Sequence, residues 1–245
     1  MTGLDLIEAD WPAPPNVRAI ATTRTGGVSI GAYASLNLGA HVGDDARAVS
    51  ENRLRLRTVL ALPRDPVWLN QVHGTAIVEA TAHDLPPAAD ASFARSPGHA
   101  CVVLTADCLP VLLCDREGTC VAAAHAGWRG LAGGVIESAL RAMSVAPDRV
   151  LAWLGPAIEQ DKFEVGPEVR EQFVARSSDN AAAFEANARG RWQADLYDLA
   201  RRELARLGVT QVFGGGFRCY AERDRFYSFR RDGTTGRMAT LVWMK

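Results

Sequence analysis

The chain has 245 residues, 48% of them hydrophobic, and a formal net charge of -1 from 27 basic and 28 acidic side chains. This length allows one large domain or two small ones with an ordinary buried core, and the composition excludes a disordered or fibrous protein. Because the charges nearly cancel, the chain has no overall field that would attract nucleic acid or an anionic membrane, so any anion site has to be local.

The start of the chain bears on its location in the cell. Its first residues include acidic side chains where a secretory signal would need a basic start and an apolar core, and no later run approaches the roughly 18 apolar residues of a membrane span. We therefore expect a cytoplasmic protein. Its five cysteines are then expected to be thiols, most of them small buried residues of the core.

Hydrophobic periodicity and turn residues divide the chain into short strands and a few helices, with no linker or repeat between them. In chain order, the pattern predicts a strand over residues 17–23, a helix over 46–60 capped by Asp44 or Asp45, extended segments over 67–73 and 75–80, strands over 109–114 and 119–124, a helix over 131–143, a strand over 150–154, helices over 167–176 and 195–207, and strands over 210–213, 225–229 and 238–243. Because strands and helices mix without the regular spacing of βαβ units, we expect an α+β fold with largely antiparallel pairing.

A glycine-rich segment at residues 24–39 follows the first predicted strand. It has too many glycines for the interior of a strand and is expected to be a shaped loop. Its backbone N–H groups and the guanidinium of Arg24 could bind an anion. A connection made only of turns is the alternative that composition leaves open.

The strongest local pattern is a β-hairpin in the middle of the chain, where two apolar runs flank a polar turn at residues 115–118. If residues 116–117 form the tip, paired residue numbers sum to 233, and Cys108 lies directly opposite His125 with Cβ atoms about 5 Å apart. A thiolate and an imidazole placed in this way could share a metal ion or a proton. Pro110 cannot donate to the strand ladder and predicts an edge strand or a bulge, and a slip of one residue would turn Cys108 to the other face.

A second histidine joins this pair as a candidate metal ligand. His73 and His125 both end apolar runs close to a glycine, whereas His83 and His99 lie in loops and are expected at the surface. Three ligands with an open position are typical of catalytic rather than structural zinc, and a thiolate with imidazoles favours zinc or copper over magnesium. The residues alone leave two alternatives open, which are a metal-free nucleophile pair of Cys108 and His125 and two unrelated core residues.

Charged side chains near the cysteine could assist this chemistry. Asp107 would face the ligands only if the strand ends or bulges there, and otherwise it could cap the adjacent loop. The glycine turn after His125 leads into a helix and could bind a phosphate or carboxylate through backbone N–H groups. The arginines that could clamp a phosphate are Arg129, Arg230, Arg231 and Arg237.

Three motifs make the chain recognisable: Asn70-Gln-Val-His-Gly74, Ala106-Asp-Cys-Leu-Pro-Val-Leu-Leu-Cys-Asp115 and His125-Ala-Gly-Trp-Arg-Gly130. They resemble motifs of the YfiH-like family, which was long catalogued as a multicopper polyphenol oxidase or laccase domain and is now described as purine nucleoside phosphorylase-like. The resemblance also covers residues 23–29, 35–45 and 226–237 and so spans nearly the whole chain.

The resemblance implies one domain over residues 1–245, an α/β/α sandwich with mixed, largely antiparallel sheets. It implies a zinc ion held by His73, Cys108 and His125, with copper as an alternative metal. The implied reaction is phosphorolysis of adenosine, inosine and methylthioadenosine, with adenosine deamination alongside, so the expected partners are purine nucleosides and phosphate rather than nucleic acid or a membrane. The site residues that we expect are, for catalysis, Cys108, His125, Asp107 as a proton shuttle, and Arg129 and, for substrate binding, Arg24, Asn37, Gln71 and Arg230.

The chain departs from the family at one motif, because Lys162-Phe-Glu-Val-Gly166 stands where the family usually has Cys-Tyr-Glu-Val-Gly, and a tyrosine hydroxyl is lost. Other functions remain open. Cys108 as nucleophile and His125 as base would suit a hydrolase or amidase, and the resemblance implies peptidoglycan precursor editing as its role, since some members of the family are linked to it. Polyphenol oxidation with copper is disfavoured, since five scattered histidines supply no His-x-His pair, and a structural zinc site in a binding module lacks a fourth ligand. The sequence does not fix the oligomeric state.

Overall fold

The computed structural model describes residues 3–81 and 85–245. The prediction for His83 lies outside these residues. Their strands are β1 (Leu6–Glu8), β2 (Val17–Thr22), β3 (Ile77–Glu79), β4 (Ala91–Ala94), β5 (Cys101–Thr105), β6 (Leu109–Asp115), β7 (Val121–Ala126), β8 (Val150–Leu154), β9 (Glu164–Val165), β10 (Phe184–Ala186), β11 (Trp192–Ala194), β12 (Gln211–Gly214) and β13 (Met238–Met244). Their α-helices are α1 (Ala46–Val59), α2 (Trp128–Gly133), α3 (Val135–Met143), α4 (Pro167–Arg176), α5 (Leu196–Arg206) and α6 (Phe229–Asp232).

Two sheets form the middle of the fold, one in the order β1-β2-β13-β5 and the other in the order β12-β8-β6-β7-β4-β3. A small third sheet has the order β10-β11-β9. β12 runs parallel to β8, and β3 runs parallel to β4, while the other described strand pairs are antiparallel. The predicted α+β class with mixed, largely antiparallel sheets is therefore confirmed.

Apolar side chains hold these layers together. The two large sheets face each other through residues such as Val103 of β5 and Leu112 of β6. The other face of the four-stranded sheet packs on α1 through Leu56, and the other face of the six-stranded sheet is covered by α3, α4 and α5. The expected α/β/α sandwich thus has two stacked sheets between its helices. None of the described helices has the length and apolar character needed to cross a membrane.

The central hairpin is present as β6 and β7, but its register differs from the predicted one. Pro110, not Cys108, pairs with His125, so paired residue numbers sum to 235. The reason lies in the turn, where the Asp115 carboxylate accepts the N–H groups of residues 119 and 120 at 2.7 and 2.8 Å and moves the tip toward Gly118. A shift of two residues keeps every side chain on its predicted face, so Cys108 and His125 remain diagonal neighbours.

Pro110 does not mark an edge strand, because β6 lies between β8 and β7. Its carbonyl accepts the N–H of Gly155, which follows the end of β8, and β6 begins to pair with β8 only at Val111. The backbone nitrogen of Pro110 points to the same side, beyond the last residue of β8. The missing N–H lies opposite the carbonyl of Gly155, which accepts the hydroxyl of Tyr197 at 3.1 Å instead.

Three other predicted elements are wrong in part. Residues 67–73 form only isolated bridges at Val67 and Asn70 and are otherwise a loop. The helix predicted over 131–143 begins earlier and is broken at Gly134, whose φ of 97° separates α2 from α3. Residues 225–229 form no strand and lead instead into α6, which Ser228 caps through its side chain.

Candidate metal centre

The three predicted ligands lie together. The donor atoms of His73, Cys108 and His125 are all within 4.8 Å of one another, and the two imidazole rings lie edge to face with their centroids 4.9 Å apart. His73 is exposed, Cys108 is half-buried and His125 is buried. The group is therefore open toward solvent on the side of His73 and closed by the core on the side of His125.

Two turns in strained backbone conformations present these ligands. His73 has a φ of 61° and Asp107 a φ of 94°, values that non-glycine residues rarely adopt. The turn at Asp107 joins β5 to β6 and places Cys108 immediately before the first residue of β6. Such conformations persist only where surrounding contacts over-determine them, and they concentrate at functional sites.

A buried carboxylate that sequence reasoning missed supports both turns and ligands. Asp90 is fully buried and accepts the N–H groups of Val72, His73 and Gly74 at 3.1, 2.9 and 2.7 Å. It also contacts Nδ1 of His125 at 2.9 Å. Burial alone would raise the pKa of Asp90, but the hydrogen bonds from His125 and Gly74 outweigh it and lower that pKa, so the carboxylate is ionised and Nδ1 is the donor.

In the metal-free protein, Cys108 and His125 lie close enough to shift each other's pKa. Burial would raise the pKa of Cys108, but the charge of His125 and hydrogen bonds from both histidines lower it to about 6. Burial would lower the pKa of His125, but the charge of Cys108 and the hydrogen bond to Asp90 raise it to about 9. At neutral pH the pair is therefore a thiolate beside an imidazolium.

Gly127 packs directly against two of the candidate ligands. A Cβ at Gly127 would lie 3.0 Å from Sγ of Cys108 and 3.3 Å from Cδ2 of His73. Two imidazoles and a thiolate at these separations match the donor set of zinc sites with an open coordination position. The residues present therefore fit a zinc ion, and copper shares the same preference.

Asp107 lies next to the cysteine, but its side chain is directed at α6. Its Oδ2 accepts the backbone N–H of Arg230 at 2.6 Å, and its backbone carbonyl accepts the N–H of Ile158 at 2.9 Å. Its Oδ1 is buried and has no hydrogen-bond partner among the described residues. Burial raises the pKa of this carboxyl despite the bond from Arg230.

Two of the predicted substrate residues are occupied by bonds within the protein. Gln71 bonds both the N–H and the carbonyl of Leu104 on β5, at 2.7 and 2.9 Å, and so fixes the loop that carries His73. Asn37 is fully buried, and its amide bonds Gly39, Asp44 and the backbone N–H of Arg237. Both side chains position the site, and substrate contact by either stays a prediction.

The predicted arginines differ in what their guanidinium groups already contact. Arg24 bonds the carbonyls of residues 34 and 223 and stacks on Tyr227. Arg129 is exposed and lies over the ring of Trp128. Arg230 bonds the carbonyl of Glu164 and lies 5.2 Å from the ring centroid of Phe163, the residue that replaces the family's tyrosine.

The prediction that Arg231 clamps a phosphate is wrong. Its side chain is only 5% exposed, and its guanidinium bonds the carbonyls of Cys219, Tyr220 and Phe226. These bonds close the loop before α6 and leave the group no access to a ligand. Arg237, another of the arginines predicted to clamp phosphate, lies close enough to Cys108 for the charge of the thiolate to act on its pKa.

The chain was compared with known families and proteins. A family model described as multi-copper polyphenol oxidoreductase laccase matches residues 18–245. The chain is 55% identical over 237 residues to a purine nucleoside phosphorylase of Pseudomonas aeruginosa, covering 96% of this chain and 97% of that protein. It is 52% identical over 240 residues to the purine nucleoside phosphorylase YfiH of Escherichia coli, covering 98% of each.

Solved structures agree with this likeness. A Neisseria meningitidis protein superposes with a TM-score of 0.95 at 54% identity, covering 98% of this chain and 99% of that one. YlmD from Geobacillus stearothermophilus has a TM-score of 0.89 at 32% identity, covering 96% and 94%. The family match over residues 18–245 includes the three candidate ligands.

Proposed function

This chain belongs to the family described as multi-copper polyphenol oxidoreductase laccase, and we propose that it is a zinc-dependent purine nucleoside phosphorylase. The observation that carries the proposal is the convergence of His73, Cys108 and His125 in an open site. The activity is supported by the purine nucleoside phosphorylases of Pseudomonas and Escherichia, which match the chain over nearly its full length.

The proposed metal ligands are the two histidines and the cysteine. When bound there, zinc would supply a Lewis acid that polarises an oxygen of the substrate or of water. Asp90 would keep His125 in the tautomer that leaves Nε2 free for the metal, and its bonds to the turn at His73 would fix the second imidazole. Copper would bind the same donors tightly, so copper found in the protein would not by itself indicate oxidase function.

In the proposed reaction a phosphate oxygen forms a bond with C1' of the ribose while the bond from C1' to the purine nitrogen breaks. The electron pair of that bond goes to the base, which takes up a proton, and the products are the free base and ribose 1-phosphate. We assign the proton transfer to Asp107, whose Oδ1 has no partner among the described residues. Arg129 is a further proposed catalytic residue, and Arg230, whose backbone N–H bonds Asp107, is a proposed substrate contact.

The finer parts of the proposal concern substrates and location. We propose adenosine, inosine and methylthioadenosine as the nucleosides, with adenosine deamination as a side activity of the same site. We also propose that the protein is cytoplasmic and that residues 1–245 act as one domain. Arg24, Asn37 and Gln71 remain proposed substrate residues, the last two through their support of neighbouring loops.

The test is a nucleoside assay on the zinc-loaded protein with and without inorganic phosphate. We expect inosine to yield hypoxanthine and ribose 1-phosphate only when phosphate is present. Hypoxanthine released equally without phosphate would indicate hydrolysis, and inosine left unchanged in both conditions would refute the proposal. Adenosine converted to inosine without phosphate would report the deaminase activity separately.

The thiolate and imidazolium of the metal-free pair favour a second candidate function, a cysteine hydrolase or amidase such as one acting on peptidoglycan precursors. Cys108 with a pKa of about 6 would be the nucleophile and His125 the base. Such an enzyme would keep its activity in the presence of chelators and lose it on alkylation of Cys108. The zinc enzyme would lose its activity to the chelator.

A further inference from the structure

Arg237 precedes β13 and has a guanidinium that the protein holds in place but does not saturate. Its Nη1 donates to the carbonyls of Thr235 and Gly236 at 2.9 and 3.0 Å. Its stem lies against Gly39, where a Cβ would come within 2.8 Å of its Cγ. Its Nε and Nη2 have no hydrogen-bond partner among the described residues.

This guanidinium lies beside the candidate metal centre. Met238, the next residue, pairs with Thr105 at the end of β5, and the turn from β5 to β6 then carries Asp107 and Cys108. Burial lowers the pKa of Arg237, while the charges of Cys108 and Asp107 raise it. Arg237 is half-buried, and the charge of the Cys108 thiolate reaches its guanidinium.

His41 lies two residues beyond Gly39, the glycine against which the stem of Arg237 packs. It is exposed and has no side-chain hydrogen bond within the part of the chain that the structure describes. Partial desolvation of the ring lowers its pKa most, followed by the charges of Arg237, Arg53, His125 and His73, so the imidazole is neutral at pH 7. The imidazole therefore lies near the guanidinium of Arg237 and the two histidines of the candidate metal centre.

The acids close to this cluster already accept hydrogen bonds, although Oδ1 of Asp107 has no partner among the described residues. Asp90 bonds His125 and the turn at His73, and Asp107 bonds the backbone of Arg230. The guanidinium of Arg53 is also used, because it bonds the carbonyl of Leu38 and stacks on Trp68. Hydrogen-bond donors without a partner among the described residues therefore remain on Arg237 and His41.

We propose that Arg237 and His41 form an oxyanion subsite beside the metal centre and that this subsite binds inorganic phosphate. The proposal rests on the phosphorylase function and names the residues that hold its second substrate. The Nε and Nη2 groups of an arginine form one edge of the guanidinium and can grip two oxygens of a phosphate at once. The guanidinium groups of Arg24 and Arg231, in contrast, donate to backbone carbonyls.

The test measures binding of inorganic phosphate to the zinc-loaded protein by calorimetry, together with the KM for phosphate and for inosine. We expect Arg237→Ala to weaken phosphate binding by roughly 10- to 100-fold, the range for lost hydrogen bonds to a charged group. Arg237→Lys keeps a point charge but cannot bind two phosphate oxygens at once, so its phosphate affinity should lie between those of the wild type and Arg237→Ala. His41→Gln should weaken phosphate binding by a few-fold. The KM for inosine and the zinc content should stay near the wild-type values.

Arg47→Ala is the control for the loss of one positive charge, because Arg47 is exposed on α1 and has no side-chain partner among the described residues. It should bind phosphate as the wild type does. If Arg237→Ala fails to load zinc, Arg237→Lys and His41→Gln decide, since the first keeps the charge and the second changes an exposed residue.

Unchanged phosphate affinity in the Arg237 variants would overturn the subsite, as would affinity that is lost in Arg129→Ala but kept in Arg237→Ala. A wild-type protein that binds no phosphate would also overturn it. Phosphate binding that depends on Arg237, without any consumption of inosine, would uphold the subsite and refute the phosphorylase. Phosphorolysis with an unchanged KM for phosphate in Arg237→Ala would refute the subsite and uphold the phosphorylase.

Discussion

Oδ1 of Asp90 lies 2.9 Å from Nδ1 of His125 and also accepts the backbone N–H of His73. One buried carboxylate therefore orients two of the three candidate ligands, one through its ring and the other through its backbone. A carboxylate behind a ligating histidine fixes the tautomer and raises the basicity of the ring. This arrangement makes the geometry of the site depend on a residue that would not touch the metal.

Replacing that carboxylate should weaken metal binding. Asp90→Asn keeps the size of the side chain but replaces one oxygen with an NH2 group, which would face a backbone N–H or the imidazole Nδ1–H. We expect zinc affinity to fall by about 10- to 100-fold, as for other residues behind metal ligands. Competition with a chelator of known affinity measures the change.

The matched control is Asp115→Asn, which alters a buried aspartate that also accepts two backbone N–H groups but lies at the hairpin turn. Both variants should unfold at lower temperature, because each loses hydrogen bonds to a buried carboxylate. Only Asp90→Asn should lose zinc affinity. Equal zinc affinity in the two variants would show that Asp90 acts on folding alone.

In the metal-free protein, Cys108 should be selectively reactive. Because its pKa is lowered to about 6, alkylation by iodoacetamide should rise as the pH increases through about 6 and level off by neutral pH. Burial raises the pKa of Cys101 and Cys114 to about 12 and of Cys120 to about 11, so these thiols should stay unmodified. Mass spectrometry of the labelled peptides reads the result.

Zinc should protect Cys108 from this alkylation, and Cys108→Ser should abolish the fast phase. A rate that rises only above pH 8 would mean that the thiol is not paired with His125 as described. Labelling of the metal-loaded protein at the metal-free rate would mean that the sulfur is not a ligand.

Zinc binding should release about one proton near pH 7.5, because a metal takes the thiolate and the neutral imidazole. At that pH Cys108 is already ionised, whereas His125, with its pKa raised to about 9, still carries the proton that must leave. Zinc affinity should therefore increase as the pH rises toward about 9 and decrease more steeply once the pH falls below about 6. Calorimetry in buffers of different ionisation enthalpy counts the released protons, and zinc binding without proton release would contradict the ion pair.

The space beside the cysteine can be tested with a single methyl group. Gly127→Ala would place a Cβ 3.0 Å from Sγ of Cys108 and 3.3 Å from His73, so the ligands must shift by a few tenths of an ångström. We expect weaker zinc binding with little loss of stability, because the backbone at residue 127 (φ -60°, ψ 158°) suits alanine.

Gly133→Ala on the same helix is the control, since its Cβ would come equally close, 3.0 Å, to a methyl group of Thr75 rather than to a ligand. Its zinc affinity should match that of the wild type. If both variants bind zinc normally, the ligands are not confined at Gly127.

The sequence predicted the hairpin and the clustering of His73, Cys108 and His125. The hairpin follows from apolar runs around a turn, and the cluster from the residue types that zinc prefers together with the resemblance to the YfiH-like family. The hairpin register was missed by two residues, because it depends on hydrogen bonds from the Asp115 side chain to the turn. Hydrophobic periodicity contains no information about such a bond, although the preserved parity kept the faces right.

The roles of Asp90 and of the arginines could not be predicted from the sequence, because they depend on contacts between distant segments. Asp90 follows a proline-rich loop and has a role only because folding brings residues 72–74 and His125 to it. Arg231 and Arg237 were equivalent candidates by residue type. The guanidinium of Arg231 donates to backbone carbonyls, whereas that of Arg237 keeps N–H groups without a partner among the described residues. Which carbonyls surround a side chain is decided by tertiary structure.

The most direct test of the zinc phosphorylase is to measure zinc content and phosphate-dependent inosine phosphorolysis in Cys108→Ala. Cys114→Ala, which alters a buried cysteine of β6 away from the ligands, is the matched control. We predict that Cys108→Ala loses both zinc and phosphorolysis, while Cys114→Ala keeps both. A Cys108→Ala protein that lacks zinc but phosphorolyses inosine at the full rate would contradict the account.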